Sequence, residues 1–464
     1  MNLEDNLKHA LLAIVQANAN ADVAPFFPSF TTTKSGHQVN FSREAEQYIS
    51  NASRILGANN IPKIRYDFKE HTQLTRQSLA EIYINLRLFG LSPCAFAYLE
   101  SSFIKSATKT EVVKATHASM STYTYHLPAS ATGAESKSPF VLGPVTMFSR
   151  TEWLDNVDLP ESAHVFAGEN NHDWRESLKR AILPKSDEPL TLLTSSLYHA
   201  IQNAGAMLKI TVDGYGPNLS YRMASIIGKS SLDCLSLLSG NPFSFTKHTL
   251  YTERRPPIQT HRVVETNGFL HLPGSTVSHV LAVQPFDSEL LRSEYGQFIA
   301  AFQHVLHGLA NASSHPHPEL AGRWATALDW YGEACRDASD SIAIAKFGTS
   351  LDVLSCCGGK APAIARMVSN LTAIPLNENV MSKGEELTLA EAIKRIYERG
   401  RSEILHGNKY DRMQSHEDLK SLASYFARYT LLSAALALAN YRGPDVHDGF
   451  CKMPSAHAAA STRT

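Results

Sequence analysis

From residue 320 to residue 441 the chain offers no convincing strand, and apolar side chains return every three or four positions instead. That period gathers them on one helical face, and packing such faces together is how they leave water. The pattern predicts helices near 320–337, 340–357, 361–373, 388–406 and 417–440, an all-α helical bundle over residues 320–441. One of them is specified at both ends. Thr388-Leu389-Ala390-Glu391 is a capping box, in which the Thr hydroxyl accepts from the Glu391 amide and the Glu391 carboxylate reaches back. Leu389, Ile393, Ile396, Gly400 and Ile404 then form one apolar stripe, and Gly407 can adopt the left-handed backbone that ends a helix. Gly400 costs the stripe roughly 1 kcal/mol against Ala, and it leaves room for a close neighbour.

The part before the bundle reads differently. Residues 1–130 are mixed and mainly helical, with helix spacing over 3–19, 42–56 and 72–89, and the small polar stretch 129–139 marks a boundary. Residues 140–310 read as an α+β domain suited to sensing or regulation. LKITVDG (208–214) alternates as a strand, and in RVVETNGFLHL (262–272) Asn267-Gly268 separates two β-prone runs, a hairpin signal. Helical patterns flank these strands at 218–239 and 288–310, and NASSHPHPE (311–319) is a linker. The fold class is therefore an α+β N-terminal region followed by an all-α bundle, with residues 443–464 as a disordered tail. SLDCLSLLSG (231–240) and SLDVLSCCGG (350–359) echo each other, a match read as coincidence between two leucine-rich helix ends.

Charge and cysteine usage narrow the function classes. Lys plus Arg (43) nearly cancels Asp plus Glu (44) over 464 residues, which excludes nucleic-acid binding by a global positive field and leaves only local patches. One such patch is the proline-broken segment 252–262, where Arg254 and Arg255, with Arg262 beyond, are placed to touch RNA phosphates. The 6 cysteines lack C-x-x-C or finger spacing, which suits a reducing cytoplasmic compartment. Glu4 and Asp5 precede a short apolar run where a signal peptide carries basic charge, and no eighteen-residue apolar run predicts a membrane span. His304, His307, His315 and His317 lack a carboxylate at zincin spacing and read as surface residues, so no metal site is predicted. GYGPNLS (214–220) has neither a dinucleotide fingerprint nor a P-loop lysine, and no cofactor is predicted.

Residues 401–407 read RSEILHG, and basic side chains in a last turn before Gly are what the helix dipole favours in any case. The surroundings add more. ALDWYGEACRDASDSIAIAKFGTSLDVLSCCGG (327–359), then a third helix, then RSEILHG resembles the Apea-like branch of the HEPN superfamily, over residues 320–441 or about a quarter of the chain. The resemblance implies metal-independent RNA cleavage by a homodimer whose two motifs face one cleft, with Arg401 and His406 as the catalytic residues. It also implies a triggered effector of prokaryotic anti-phage defence; such an enzyme must be restrained until a phage-derived signal arrives, and the domain arrangement makes residues 1–310 the place for that restraint. The chemistry suits these residue types. An imidazole can take the 2′-OH proton or protonate the leaving 5′-oxygen, and a guanidinium can bind the charged phosphate through two parallel hydrogen bonds.

Three residues stand beside that pair. On a straight helix Arg401 and His406 lie about 140° apart, whereas Arg399, seven residues before His406, is nearly aligned with it and is held as the alternative arginine. Ser402 stands where many HEPN nucleases have Asn, Asp or His. Asp352 stands where their second helix often carries Glu, and it is the carboxylate expected to orient Arg401 or His406. The competing reading is a non-catalytic HEPN module that binds a partner or nucleotide. Open placement of Arg401 and His406 in a cleft favours the nuclease, and a salt bridge inside one subunit favours the module.

Overall fold

The structure, a computed structural model, describes residues 1–19, 29–58, 67–88, 102–118, 122–131, 133, 139–160, 174–183, 186, 188–253, 259–271, 274–277, 287–381, 386–406 and 416–453. It has two compact units, residues 1–123 with 212–223, and residues 124–211 with 224–464. The sequence-based boundary near residue 310 does not separate units: the α+β segment and the helical bundle belong to the same one.

Among the described residues of the first unit, α1 (Leu3–Ala19), α2 (Arg43–Ala58), α3 (Phe68–Leu88) and α4 (Ser102–Ala118) enclose a core that includes Leu7, Ile14, Ile49, Leu56 and Leu79. The hairpin β1 (Ser29–Thr32) and β2 (Gln38–Phe41) adds Val39 and Phe41 to it. Asn18 on α1 fixes β2 in place, donating to the Asn40 carbonyl at 2.9 Å and accepting the Asn40 N–H at 3.0 Å.

The second unit starts with a five-stranded sheet in the order β4-β5-β6-β3-β7. Its strands are β3 (Tyr123–Ser130), β4 (Phe140–Leu142), β5 (Val145–Phe148), β6 (Ala206–Val212) and β7 (Thr249–Leu250). β5 and β6 pair antiparallel with Val145 opposite Ile210, and β6 buries alternate residues, as the LKITVDG pattern predicts. Among the described residues after β5, α5 (Arg150–Asp155), α6 (Trp174–Ala181) and α7 (Leu192–Ile201) pack around Trp153, Trp174 and Leu178. After α8 (Pro217–Ser239) and α9 (Ser244–Lys247) comes a ribbon in which β8 (Gln259–Arg262) pairs with β11 (Gly274–Val277) and β9 (Glu265–Thr266) with β10 (Phe269–Leu270). Asn267 (φ +54) and Gly268 (φ +80) supply the two left-handed residues its tight turn needs. Arg262, read as part of an irregular loop, is on a strand.

The bundle consists of α10 (Ser288–Ala310), α11 (Pro318–Arg336), α12 (Asp340–Ser355), α13 (Ala361–Thr372), α14 (Leu389–Leu405) and α15 (Glu417–Asn440). α10 lies N-terminal to the predicted linker yet packs on α11 and α15, which is why the boundary fails there. Phe302 on α10 meets Trp324 on α11 at 5.6 Å between ring centroids, and the Trp324 indole donates to the Leu431 carbonyl on α15. α15 is long and apolar enough to cross a membrane, but most of it lies inside the bundle. Residues 443–453, expected as disordered tail, are ordered: α16 (Gly449–Lys452) buries Phe450 completely, and Met453 is buried beside it. A single large apolar side chain with a pocket to fill outweighs the small polar composition around it. Residues 454–464 lie outside the described set.

The echo between 231–240 and 350–359 has a structural counterpart. Each segment ends a helix, and each Asp holds an arginine from a neighbouring helix, Asp233 with Arg336 and Asp352 with Arg401. Asp233 also binds Lys229 at 3.2 Å, and Lys229 reaches Asp329 at 2.6 Å. Burial works to lower the Lys229 pKa, but Asp233 and Asp329 outweigh it and hold the amine above its ordinary value.

Two histidines in this unit make stability depend on pH. Burial, with Lys247 and Arg336 nearby, lowers the His248 pKa to about 4, and burial beside His304 and His317 lowers His315 to about 4. Both fold as neutral bases, so the unfolded chain binds protons first as pH falls from about 6.5. Their contribution is complete above that value and drains away between pH 6.5 and 4, by about 3 kcal/mol for fully buried His248. Denaturant midpoints measured across this window are expected to fall with pH, and His248→Asn is expected to flatten the slope.

Candidate active site

α14 carries the site, and its local geometry departs from an ordinary helix. The capping box forms as the sequence predicts: Glu391 N–H donates to Thr388 Oγ1 at 3.3 Å, and the Glu391 carboxylate accepts the Thr388 N–H at 3.0 Å. After Leu389–Lys394 the helix widens into π-helical turns over Arg395–Ser402, where the Glu403 N–H reaches back five residues to the Glu398 carbonyl. It returns to α geometry only at Glu403–Leu405. Such turns carry an extra residue and re-aim the side chains that follow.

Two glycines explain how α12 and α14 come close enough to build the site. A Cβ at Gly400 would stand 2.5 Å from Ile344 Cγ2 on α12, and one at Gly348 would stand 2.8 Å from Arg401 Cβ. Gly400→Ala improves helix propensity by roughly 1 kcal/mol, yet it has to push Ile344 aside. It is expected to destabilise the protein by about 1–3 kcal/mol, the usual range for overpacking, as read from urea unfolding.

Against that contact Arg401 lies in a defined pocket. Its Nη1 donates to the Tyr397 hydroxyl at 2.6 Å, its Nη2 lies 3.3 Å from Asp352 Oδ2, and its guanidinium stacks on the Tyr397 ring at 5.0 Å. The Tyr397 hydroxyl in turn donates to Asp352 Oδ2 at 3.4 Å. Burial, then the Asp352 carboxylate, raises the Tyr397 pKa above its ordinary value, so the phenol stays a donor. Arg401 Nε is buried with no hydrogen-bond partner among the described residues. The Arg401 side chain nonetheless stays about a quarter exposed (26%) and Asp352 keeps 18%, so the pair is reachable from solvent.

His406 closes the helix as its C-cap, with its N–H donating to the Ser402 carbonyl at 3.0 Å. The imidazole is exposed, and among the described residues it has no side-chain partner. No hydrogen bond or ion pair joins it to Arg401 among those residues. Ser402 is half-buried and serves the helix end through its backbone. Arg399 is exposed on another flank, lining a groove of about 790 Å³ with Arg395, His416, Asp418 and Tyr425. The structure therefore brings together Arg401 and Asp352, leaves His406 open at the helix end, and sends Arg399 to a separate groove.

Arg254 and Arg255 lie outside the described residues. Sequence reasoning missed Tyr397 and Gly348. The available signal for Tyr397 was its position four residues before Arg401, the spacing at which helical neighbours meet. It placed four histidines at the surface, where His307 is but the other three are not. His304, His315 and His317 cluster, with ring centroids 4.4–6.5 Å apart, and His317 is buried with Nε2 2.9 Å from the Gly443 carbonyl. The ordered segment after α15 covers them, which a surface reading could not foresee.

Compared with known protein families, with curated proteins and with solved structures, the chain matches none.

Proposed function

We propose that the chain is a HEPN-type endoribonuclease that cuts RNA by 2′-OH attack without a metal. The observation that carries this reading is that Arg401, though paired with Asp352, stays about a quarter exposed (26%) on the π-helical turn that leads to the open imidazole of His406. Asp352 and Tyr397 hold the guanidinium in one orientation, so little freedom is lost when a phosphate binds its remaining N–H groups. In the reaction the Arg401 cation offsets the charge that develops on the phosphoryl oxygens. His406 moves protons at the 2′-oxygen or the leaving 5′-oxygen, a role that needs an accessible imidazole. DNA offers no 2′-OH and is not a substrate for this chemistry. By the HEPN resemblance the enzyme acts as a cytoplasmic homodimer, two motifs facing one cleft, in phage-triggered growth arrest.

A second reading has its own support. Arg401 is ion-paired within its own chain, which suits a non-catalytic HEPN module that binds a partner or nucleotide. One experiment separates the two. Labelled total RNA is incubated with purified protein in excess EDTA, with wild type beside the Arg401→Ala, Arg399→Ala and His406→Ala variants. The nuclease reading expects cleavage by wild type and by Arg399→Ala, and loss in the other two. Wild-type protein inert toward RNA from both infected and uninfected cells favours the binding module.

A further inference from the structure

The end of α12 faces α16 through two cysteines. Cys357 and Cys451 lie 94 positions apart in sequence, yet their Sγ atoms stand 3.2 Å from each other. Both thiols donate to one acceptor, the Ser355 carbonyl, each at 3.0 Å. Such convergence follows from local backbone geometry on both sides. Past α12 the chain turns through three left-handed residues, Cys356 (φ +48), Gly358 (φ +64) and Gly359 (φ +78), which swings Cys357 back over the helix end. On the other side, buried Phe450 and Met453 anchor α16, so Cys451 is held by packing on either flank. A disulfide has sulfurs about 2.05 Å apart, so small side-chain rotations close the gap that remains. Both cysteines are partly exposed, within reach of a small solute.

We propose that Cys357 and Cys451 are a redox pair, oxidised by a peroxide to an intrachain disulfide that clamps the C-terminal segment onto the end of α12. The electrons balance in two steps. The Cys357 sulfur attacks the peroxide O–O bond, taking one oxygen as sulfenic acid while the other leaves as hydroxide and is protonated to water. The Cys451 sulfur then attacks the sulfenic sulfur, the S–S bond forms, and a second water departs. Two thiols are oxidised and one peroxide is reduced to two waters. Cys451 is placed for the second step because its sulfur already stands 3.2 Å from that of Cys357.

The pair is connected to the arginine cluster. Gly359 packs so close to Tyr397 that a Cβ there would overlap the phenolic oxygen, and Tyr397 holds Arg401. Asp352 lies on the same helix end, five residues before Cys357. Clamping residues 355–359 therefore fixes the backbone that borders the Tyr397 hydroxyl.

The test uses the full-length protein, reduced and then treated with hydrogen peroxide at low molar excess. Intact mass is expected to fall by two hydrogens, the titratable thiols by two, and non-reducing peptide mapping to recover a Cys357–Cys451 linked peptide. Cys356→Ser should keep that peptide, because Cys356 is exposed and the sulfur in contact with Cys451 belongs to Cys357; Cys357→Ser and Cys451→Ser should each abolish it. Reduction with dithiothreitol should restore both thiols. Oxidation that instead yields sulfinic acids, intermolecular dimers through Cys356, or a linked peptide that survives Cys451→Ser overturns the proposal. These readouts involve no RNA, so they stand or fall separately from the ribonuclease reading.

Discussion

Asp233→Ala is expected to destabilise the bundle-containing unit by about 3–5 kcal/mol, the cost typical of leaving a buried charge without its partner. Asp233 is 1% exposed and Arg336 is 8% exposed. Arg336 is also fixed by a hydrogen bond from its Nε to the Phe245 carbonyl at 2.8 Å, so it cannot swing out to water when the carboxylate is removed. Lys229 would lose its most deeply buried carboxylate partner in the same step. The measurement is urea unfolding at pH 7, following the transition of this unit. A second variant separates charge from packing: replacing Asp233 and Arg336 together with Leu removes both charges, and it is expected to recover most of the loss. A single-variant cost below about 1 kcal/mol would place the pair in the range of a solvated surface bridge, against its burial.

His406→Ala is expected to reduce RNA cleavage by about 10²–10⁴-fold, the range for loss of a general acid or base. The same change should move stability by no more than about 0.5 kcal/mol, as is usual for surface positions, since the imidazole is exposed. That separation matters because Arg401→Ala cannot provide it. Arg401 packs against Gly348, stacks on Tyr397 and pairs with Asp352, so its removal changes the fold and the chemistry together. Arg401→Lys sharpens the point: an ammonium keeps the charge but cannot present a planar fork to the hydroxyl and a phosphate at once. Cleavage should fall while the ion pair to Asp352 survives. Cleavage undiminished in His406→Ala would sink the mechanism.

Much of the architecture is legible in the sequence because it is local. The capping box at Thr388–Glu391, the Asn267-Gly268 turn and the helices read near 218–239, 340–357 and 417–440 all follow from residues within a turn or two of one another, although the second ends at Ser355, before left-handed Cys356. Gly400 is an intermediate case. Its place in an apolar stripe announces a close neighbour, and only the packing identifies Ile344. The boundary at residue 310 and the supposed tail after Gly443 misled for one reason. A polar linker and a small-residue segment look unstructured until α10 and Phe450 find partners elsewhere in the unit.

The sequence by itself determined the helix that bears Arg401 and His406, where it starts, and that a carboxylate at 352 was a candidate partner. Only the tertiary structure decided which arginine meets that carboxylate, that Tyr397 completes the cluster, and that Arg399 faces a different groove. The physical reason is that hydrogen bonding along a helix is fixed by neighbours in sequence. The widening into π turns and the approach of α12 to α14 instead depend on how Gly348, Gly400 and Ile344 fill one shared space.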